Sequence, residues 1–277
     1  MQNFRKFALS FLAVLFFGVA SAQEDQAYNS QSLRAVKVAD QLYKRTLWWR
    51  MDLREKPNRP FAAANNEIAK IIIDAVKAGI IRPFKNDSLT ERMDYDVFVQ
   101  KLRLPSTGSD VIADDWDKEE EDTWEEEDTA TLVPTNEEVV AEYFSKEFVV
   151  LEIKEDVIFD KRRGKMVHDI QSITLKLPIN PVTGLEEDLA CFSYKELVEN
   201  VFRENPHANW YNPENSSENR NYAEAFEGRL FTAHLFKVAN WDDLHIEDVY
   251  GAGKNAVVKA QQIEYELADF EQDSWEN

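Results

Sequence analysis

The chain has 277 residues and a formal net charge of −20, with 52 acidic residues against 32 Lys and Arg. Such a charge repels nucleic acid and anionic lipid, so we expect neither as a partner. The single cysteine, Cys191, cannot close an internal disulfide, and its apolar neighbours in "LACFSY" favour a buried side chain over a nucleophile.

The first 22 residues, "MQNFRKFALSFLAVLFFGVASA", have the layout of a secretory signal peptide. Arg5 and Lys6 precede an apolar run, and small residues end at Ala22, where we expect cleavage. The apolar run is shorter than the roughly 20 residues of a membrane-spanning helix, although an uncleaved anchor is the alternative. The pattern therefore predicts a signal peptide over 1–22 and an exported, soluble mature chain.

An acidic block divides the mature chain into two parts. Residues 110–128 hold twelve acidic residues against Lys118. Like charges at this density cannot be packed, so we predict a solvated, disordered linker over 106–134 between an N-terminal part (23–105) and a C-terminal part (135–277). A calcium loop is the alternative, but the block lacks the central glycine and the spacing of an EF-hand loop.

The N-terminal part is expected to be helix-rich around one strand, which lies in "LWWRMDLREKPNRPF". As a strand, this stretch would turn one set of apolar side chains to a core: Leu47, Trp49, Met51 and Leu53. Trp48, Arg50 and Asp52 would share the other face. The prolines Pro57 and Pro60 remove ladder donors, so the strand should end before them.

Two helices should follow that strand. "NNEIAKIIIDAVKAGII" has its apolar residues at helical spacing, with Asn65 or Asn66 placed to cap the helix and Gly79 to end it. The buried face should hold Ile68, Ile71, Ile72, Ala75 and Val76. "DYDVFVQKL" indicates a further short helix that Asp94 opens.

The C-terminal part should be mixed. "TNEEVVAEYF" predicts a helix with a capping box, Thr135 to Glu138, and an inward face of Val139, Val140, Tyr143 and Phe144. The period then changes to two, which predicts a hairpin: Val149, Leu151 and Ile153 on one strand, "DKRRG" as the turn, and a return strand to Pro178.

Three more elements complete the C-terminal part. A capping box from Ser193 to Glu196 opens the helix "SYKELVENVF", with Leu197, Val198, Val201 and Phe202 on one side. "RLFTAHLFKVA" alternates as a strand, and a closing helix spans about Ala256 to Phe270. We therefore predict an α+β fold with mixed helices and mostly antiparallel strands, its two halves joined by the acidic linker.

Catalytic signatures are thin. Neither a zinc-hydrolase histidine pair nor a G-x-S-x-G elbow is present, and "GAGKN" lacks the glycine spacing of a phosphate loop. His168 and His234 lie in strand-like segments, where a hydrogen-bonded structural role is expected. Carboxylate pairs (Glu152 with Glu155, or Asp242 with Asp243) suit a glycosidase only at a defined separation. We therefore predict no catalytic residue, cofactor or metal.

The outer face of the predicted strand and the turn after it have the composition of a protein interface. They combine an aromatic residue with arginines and acids, which are typical of binding hot spots. The candidate partner-binding residues are Trp48, Arg50, Asp52, Arg54, Glu55, Asn58 and Arg59. The alternatives are a secreted envelope-glycan hydrolase that uses a carboxylate pair, and a calcium- or carbohydrate-binding module.

Several segments, in this order, resemble the GldN/PorN family of gliding-motility and type IX secretion proteins. They are "WWRMDLREKPNRPF", "EIAKIIIDAVKAGII", "KEDVIFDKRRGKMVHDIQSI", "CFSYKEL", "FEGRLFTAHLFKVANWDDLHIEDVY" and "IEYELADFEQDSWEN". The acidic linker is the segment least like the family. A departure lies at Asp242-Asp243, where the family leads us to expect an Asp-Arg pair.

The resemblance implies a non-enzymatic, periplasmic role. Proteins of this family associate with an outer-membrane lipoprotein, GldK or PorK, in large rings, and contact the inner-membrane motor protein, GldM or PorM. The implied partners of this chain are therefore a GldK/PorK-like lipoprotein, a GldM/PorM-like motor protein and further copies of itself. The implied location is the inner face of the outer membrane, reached through the lipoprotein.

Overall fold

The computed structural model of the protein describes residues 28–104, 142–180 and 184–276. The predicted signal peptide (1–22), the linker (106–134) and the capping box at Thr135 lie outside these ranges. Seven strands lie within them: β1 (Gln41–Asp52), β2 (Val150–Asp160), β3 (Lys165–Lys176), β4 (Asp188–Ser193), β5 (Asn209–Trp210), β6 (Arg220–Asn221) and β7 (His234–Val238).

Helices and strands follow one another in mixed order along the chain. In the described ranges they are α1 (Ile68–Lys77), α2 (Tyr95–Leu102), α3 (Tyr194–Leu197), α4 (Tyr222–Glu227), α5 (Ile246–Tyr250) and α6 (Lys254–Glu276). A π-helical turn, Val198–Phe202, continues α3. Short 3-10 turns lie at Val38–Asp40, Arg59–Ala62, Ser145–Glu147 and Ser216–Glu218. The predicted α+β class is confirmed.

Five of the strands form one antiparallel sheet in the order β4-β3-β2-β1-β7, and β5 and β6 form a separate ribbon. The N-terminal part supplies β1, which pairs with β2 on one side and with β7 on the other. Both neighbours come from the C-terminal part. One hydrophobic core therefore contains residues from both parts of the chain.

The alternation predicted for β1 is confirmed. The side chains expected on the core face are at most 8% exposed: Leu47, Trp49, Met51 and Leu53. Trp48, Arg50 and Asp52, on the other face, are half-buried. The strand ends at Asp52, before both prolines, and Pro60 opens a 3-10 turn.

Helix α1 has the predicted buried face but not the predicted cap. Ile68, Ile72 and their face-mates are buried. The N-cap residue is Glu67, without a side-chain cap bond, while Asn65 takes a left-handed conformation with φ 69°. Gly79 (φ 72°) ends the helix as predicted, in a Schellman motif in which Ile80 N donates to Ala75 O at 2.9 Å.

The hairpin and the α3 face are confirmed, whereas two details of the C-terminal part are wrong. The capping box of α3 does not form, because Glu196 binds Arg92 and the Ser193 hydroxyl donates to Gln31 at 3.3 Å. Phe144 was expected inside and is 74% exposed. Tyr143 packs against the core, as expected.

Helix α6 is longer than predicted and lies against the core side of the sheet. Its buried residues, Ala256, Ala260 and Ile263, fall in its first half. Farther along, Phe270 contacts Tyr43 and Phe159, with ring centroids 4.7 and 5.8 Å apart. Among the helices of the described ranges, none is long and apolar enough to cross a membrane.

Candidate interaction surface

Trp48 lies on the outer face of the sheet, between two lysines. Lys154 and Lys237 approach its ring, with Nζ 5.2 and 4.7 Å from the centroid. Its indole Nε1 donates to Asp87 Oδ2 at 2.6 Å. The cation–π contacts and the hydrogen bond hold this side chain within its own molecule, so it contributes to the fold.

Arg50, the next predicted contact on this face, belongs to an ion-pair network. Its guanidinium pairs with Glu186 and lies 3.9 Å from Glu152. Lys176 pairs with Glu152 at 3.1 Å and with Asp188. Burial raises the pKa of Glu152 above its ordinary value, and Lys176 opposes that rise. The network connects β1, β2 and β3 to Asp188 of β4 and to Glu186 in the segment before it.

The turn after β1 offers the exposed cations of the predicted set. The Arg54 guanidinium binds Asp52, with Nη2 2.6 Å from Oδ2, and this hydrogen bond holds the pKa of Asp52 below its usual range. The Arg54 side chain is nevertheless 71% exposed. Arg59 is also exposed and donates from Nε to Arg54 O at 3.3 Å. Glu55 binds His234 at 3.0 Å.

The structure places Asn58 inside the protein. Its side chain is fully buried. Nδ2 donates to Asp52 O and to Thr232 O, and Oδ1 accepts from Thr232 N, each at 2.8 Å. These bonds connect the turn to the segment before β7, so this residue contributes to the fold. Arg54 and Arg59 are the members of the predicted set that stand open to a partner.

The carboxylate pairs do not have the geometry of a glycosidase site. Glu152 lies opposite Arg50 in the β1–β2 ladder, whereas Glu155 lies opposite Leu47. Cross-strand partners share a face, so the two carboxylates lie on opposite faces of the sheet and cannot flank one bond. Asp243 pairs with Lys237 at 2.7 Å, and Asp242 accepts from the Trp241 indole.

Sequence reasoning missed a cluster of polar and charged side chains around one buried carboxylate on the core side of the sheet. Glu155 is fully buried, accepts a hydrogen bond from His168, and receives Arg229 Nη1 at 2.8 Å on both of its oxygens. His168 is hydrogen-bonded, as predicted. The alternation of β2 could have placed Glu155 on the core face, but no local pattern identifies Arg229 as its partner.

The remaining candidates for a reactive or metal-binding site in the described ranges are the Cys191 thiol and clusters of metal-ligating side chains. Cys191 is buried, as predicted, and burial raises the pKa of its thiol to about 11. Such a thiol stays protonated and inert at neutral pH. Within the described ranges, no group of three or more His, Cys, Asp or Glu residues is placed to hold a metal ion.

Comparison with known proteins adds one match. The family model described as "GldN: Gliding motility associated protein GldN" matches residues 36–276. The matched range begins before β1 and reaches the end of α6, so it covers the whole five-stranded sheet. No curated protein matches the chain.

Proposed function

The chain belongs to the GldN family of gliding-motility-associated proteins, and from this premise we propose that it is a periplasmic structural subunit of the type IX secretion and gliding machinery. It binds a GldK/PorK-like outer-membrane lipoprotein within a ring and contacts a GldM/PorM-like motor protein. The observation that carries this proposal is the family match over 36–276, which spans the complete described core.

The expected signal peptide supports a periplasmic location. In this proposal, binding to the lipoprotein holds the exported chain at the inner face of the outer membrane. The side chains of the described ranges suit a binding role as well. The carboxylate pairs singled out in the sequence lie on opposite faces of the sheet or are exposed and already partnered.

The docking surface that we propose is the turn from Arg54 to Arg59. Arg54 is 71% exposed, and Arg59 beside it is also exposed, with its Nε donating to Arg54 O. The turn is preorganised, because buried Asn58 fixes its backbone from within. A rigid turn with two guanidiniums can bind carboxylates of a partner at little entropic cost.

The test is an affinity purification of the tagged chain from envelope extract, with the co-purified proteins identified by mass spectrometry. The unaltered chain should recover an outer-membrane lipoprotein and an inner-membrane motor protein. The double variant Arg54→Ala/Arg59→Ala should recover less lipoprotein while melting at the same temperature, because both side chains are exposed.

The matched control is Lys161→Ala/Arg162→Ala. It removes the same charge from the exposed β2–β3 turn, at the opposite end of β2, and should leave recovery unchanged. Recovery of no envelope protein by the unaltered chain would contradict the proposed function. Normal recovery by the Arg54/Arg59 variant would contradict only the docking surface.

A further inference from the structure

A cleft of about 360 Å³ lies beside β7 and adjoins the Arg54–Arg59 turn, whose Glu55 pairs with His234 of the cleft wall. Four consecutive residues, 233–236, line one wall, and residues of α5 and α6 line the other. The apolar side chains of that second wall include Ile246, Ala256, Val257 and Ala260. Two of them are alanines, which leave room for a backbone to approach closely.

The wall formed by β7 is an open strand edge. On one side β7 pairs with β1. On the other side, within the described ranges, its one strand contact is the isolated bridge from Lys237 to His245. The edge from His234 to Phe236 therefore has no strand partner there. Such an edge offers backbone donors and acceptors to an extended peptide, and a neighbouring groove can select its side chains.

The charges of the cleft favour a cationic occupant. Two of the basic side chains on its walls already have carboxylate partners: Arg50 pairs with Glu186, and His234 pairs with Glu55. The third, His245, packs edge-on against the Phe236 ring, with centroids 5.3 Å apart. Glu247 and Glu264 also line the cleft, and neither makes an ion pair with a described residue. Partial burial raises the pKa of Glu264 above its ordinary value, while His234 and Arg229 oppose that rise. A further cation close to Glu264 would also stabilise its carboxylate.

An exposed aromatic residue, Trp241, lies four residues before the cleft residue His245 in the sequence. Trp241 is 95% exposed, on a turn that His245, a cleft residue, follows. Asn240 braces this turn, because its Nδ2 donates to Leu244 O at 2.8 Å and its Oδ1 accepts from Leu244 N at 3.0 Å. A tryptophan exposed on such a turn is a typical anchor for a partner.

We propose that an extended segment of a partner protein, with a Lys or Arg between apolar residues, adds as a strand to the free edge of β7 and occupies this cleft. Its backbone pairs with His234–Phe236, its apolar side chains rest on α6, and its cation binds Glu247 and Glu264. This inference rests on the proposed function, since it specifies how one partner of the assembly is held.

The experiment places the photo-reactive residue benzoylphenylalanine at position 257 of the full chain, in the bacterium that makes it. Val257 lines the cleft and is 58% exposed, so the change is tolerated without unfolding. Irradiation should give one adduct, in which the cross-linked peptide comes from another protein and contains Lys or Arg. Substituting Glu247→Lys and Glu264→Lys should reduce this adduct to background.

The charge control is Asp269→Lys, on an exposed position of the same helix that does not line the cleft; it should leave the adduct yield unchanged. An adduct with a second copy of this chain, with the chain itself or with an acidic segment would overturn the proposal. So would the absence of an adduct in assemblies that still co-purify with the lipoprotein. Failure of that co-purification would instead contradict the proposed function.

Discussion

The buried carboxylate of Glu155 makes the stability of this protein depend on pH. Burial alone would raise its pKa, but the hydrogen bond from His168 and the charge of Arg229 outweigh burial and lower the pKa below its ordinary value of 4.5. The contribution of Glu155 to stability is therefore present above about pH 4.5 and is lost as the pH falls through the lowered pKa.

Arg229→Met should leave this buried carboxylate with the hydrogen bond to His168 but without its guanidinium partner. Breaking a buried ion pair from one side costs about 3 kcal/mol, so the free energy of unfolding at pH 7 should fall by that amount. Urea titrations at pH 7 and pH 4 measure it, and the loss should be smaller at pH 4. Arg162→Met, in the exposed β2–β3 turn, is the control. An equal loss from both variants would contradict the role of the cluster.

Asp169 has the opposite pH dependence. Burial raises its pKa from 3.8 to about 6. A raised folded-state pKa means that its stabilising contribution is complete below about pH 4 and is lost as the pH rises through about 6.

Above about pH 6 the folded protein must hold the Asp169 carboxylate ionised in a buried site, which lowers the free energy of unfolding. Asp169→Asn should remove this cost. The free energy of unfolding of the variant should exceed that of the unaltered chain by about 2 kcal/mol at pH 8 and match it at pH 4. Chemical denaturation over this pH range provides the measurement. Asp74→Asn on the exposed side of α1 should change neither value. A gain that does not depend on pH would show that the titration of Asp169 is not its cause.

At the scale of elements, periodic burial and the end of α1 at Gly79 could be predicted from the sequence, whereas the side-chain caps at the helix N-termini could not. The face of α1 and the alternation of β1 follow from spacing alone, because 3.6-residue and two-residue periods place side chains on fixed sides. The capping boxes depend on which partners the side chains find in the folded chain. Glu196 binds Arg92, 104 residues away, so the local motif at Ser193 could not form.

The second half of α6 should be the weakly held part of that helix. Ala256, Ala260 and Ile263 bury its first half, whereas Phe270 carries the later contacts with Tyr43 and Phe159. Phe270→Ala should therefore speed amide hydrogen exchange in the last turns of α6 and lower the free energy of unfolding by about 2 kcal/mol. Tyr265→Ala, at a 71% exposed position, should change neither the exchange rate nor the free energy of unfolding. Equal exchange in the two variants would contradict the anchoring role of Phe270.

At the scale of the whole molecule, the central position of β1 connects the two predicted parts. The strand pairs with β2 almost along its entire length and with β7 near its end. A protease site introduced into residues 106–134 should therefore allow cleavage without separation. The two fragments should elute together in native buffer and part only in denaturant. Fragments that separate in native buffer would contradict a shared core.

The same long-range pairing explains what the sequence could not predict. Composition and alternation predicted the α+β class and the core face of β1. They did not predict that β1 lies between β2 and β7, since more than 90 residues separate it from either strand. The candidate site shows the same limit, because local composition did not predict that Trp48 and Arg50 bind Asp87 and Glu186 of distant segments. Their role in partner binding stays a prediction. The exposed arginines, Arg54 and Arg59, remain the accessible part of that prediction.

The most direct test of the central claim is electron microscopy of the particles that co-purify with the tagged chain from the envelope. A structural subunit should appear as many copies within large ring-shaped particles, and the purified chain should leave peptidoglycan and other envelope glycans intact. A compact monomer that degrades such a glycan, and loses that activity when one carboxylate such as Glu152 is changed to Gln, would contradict the account.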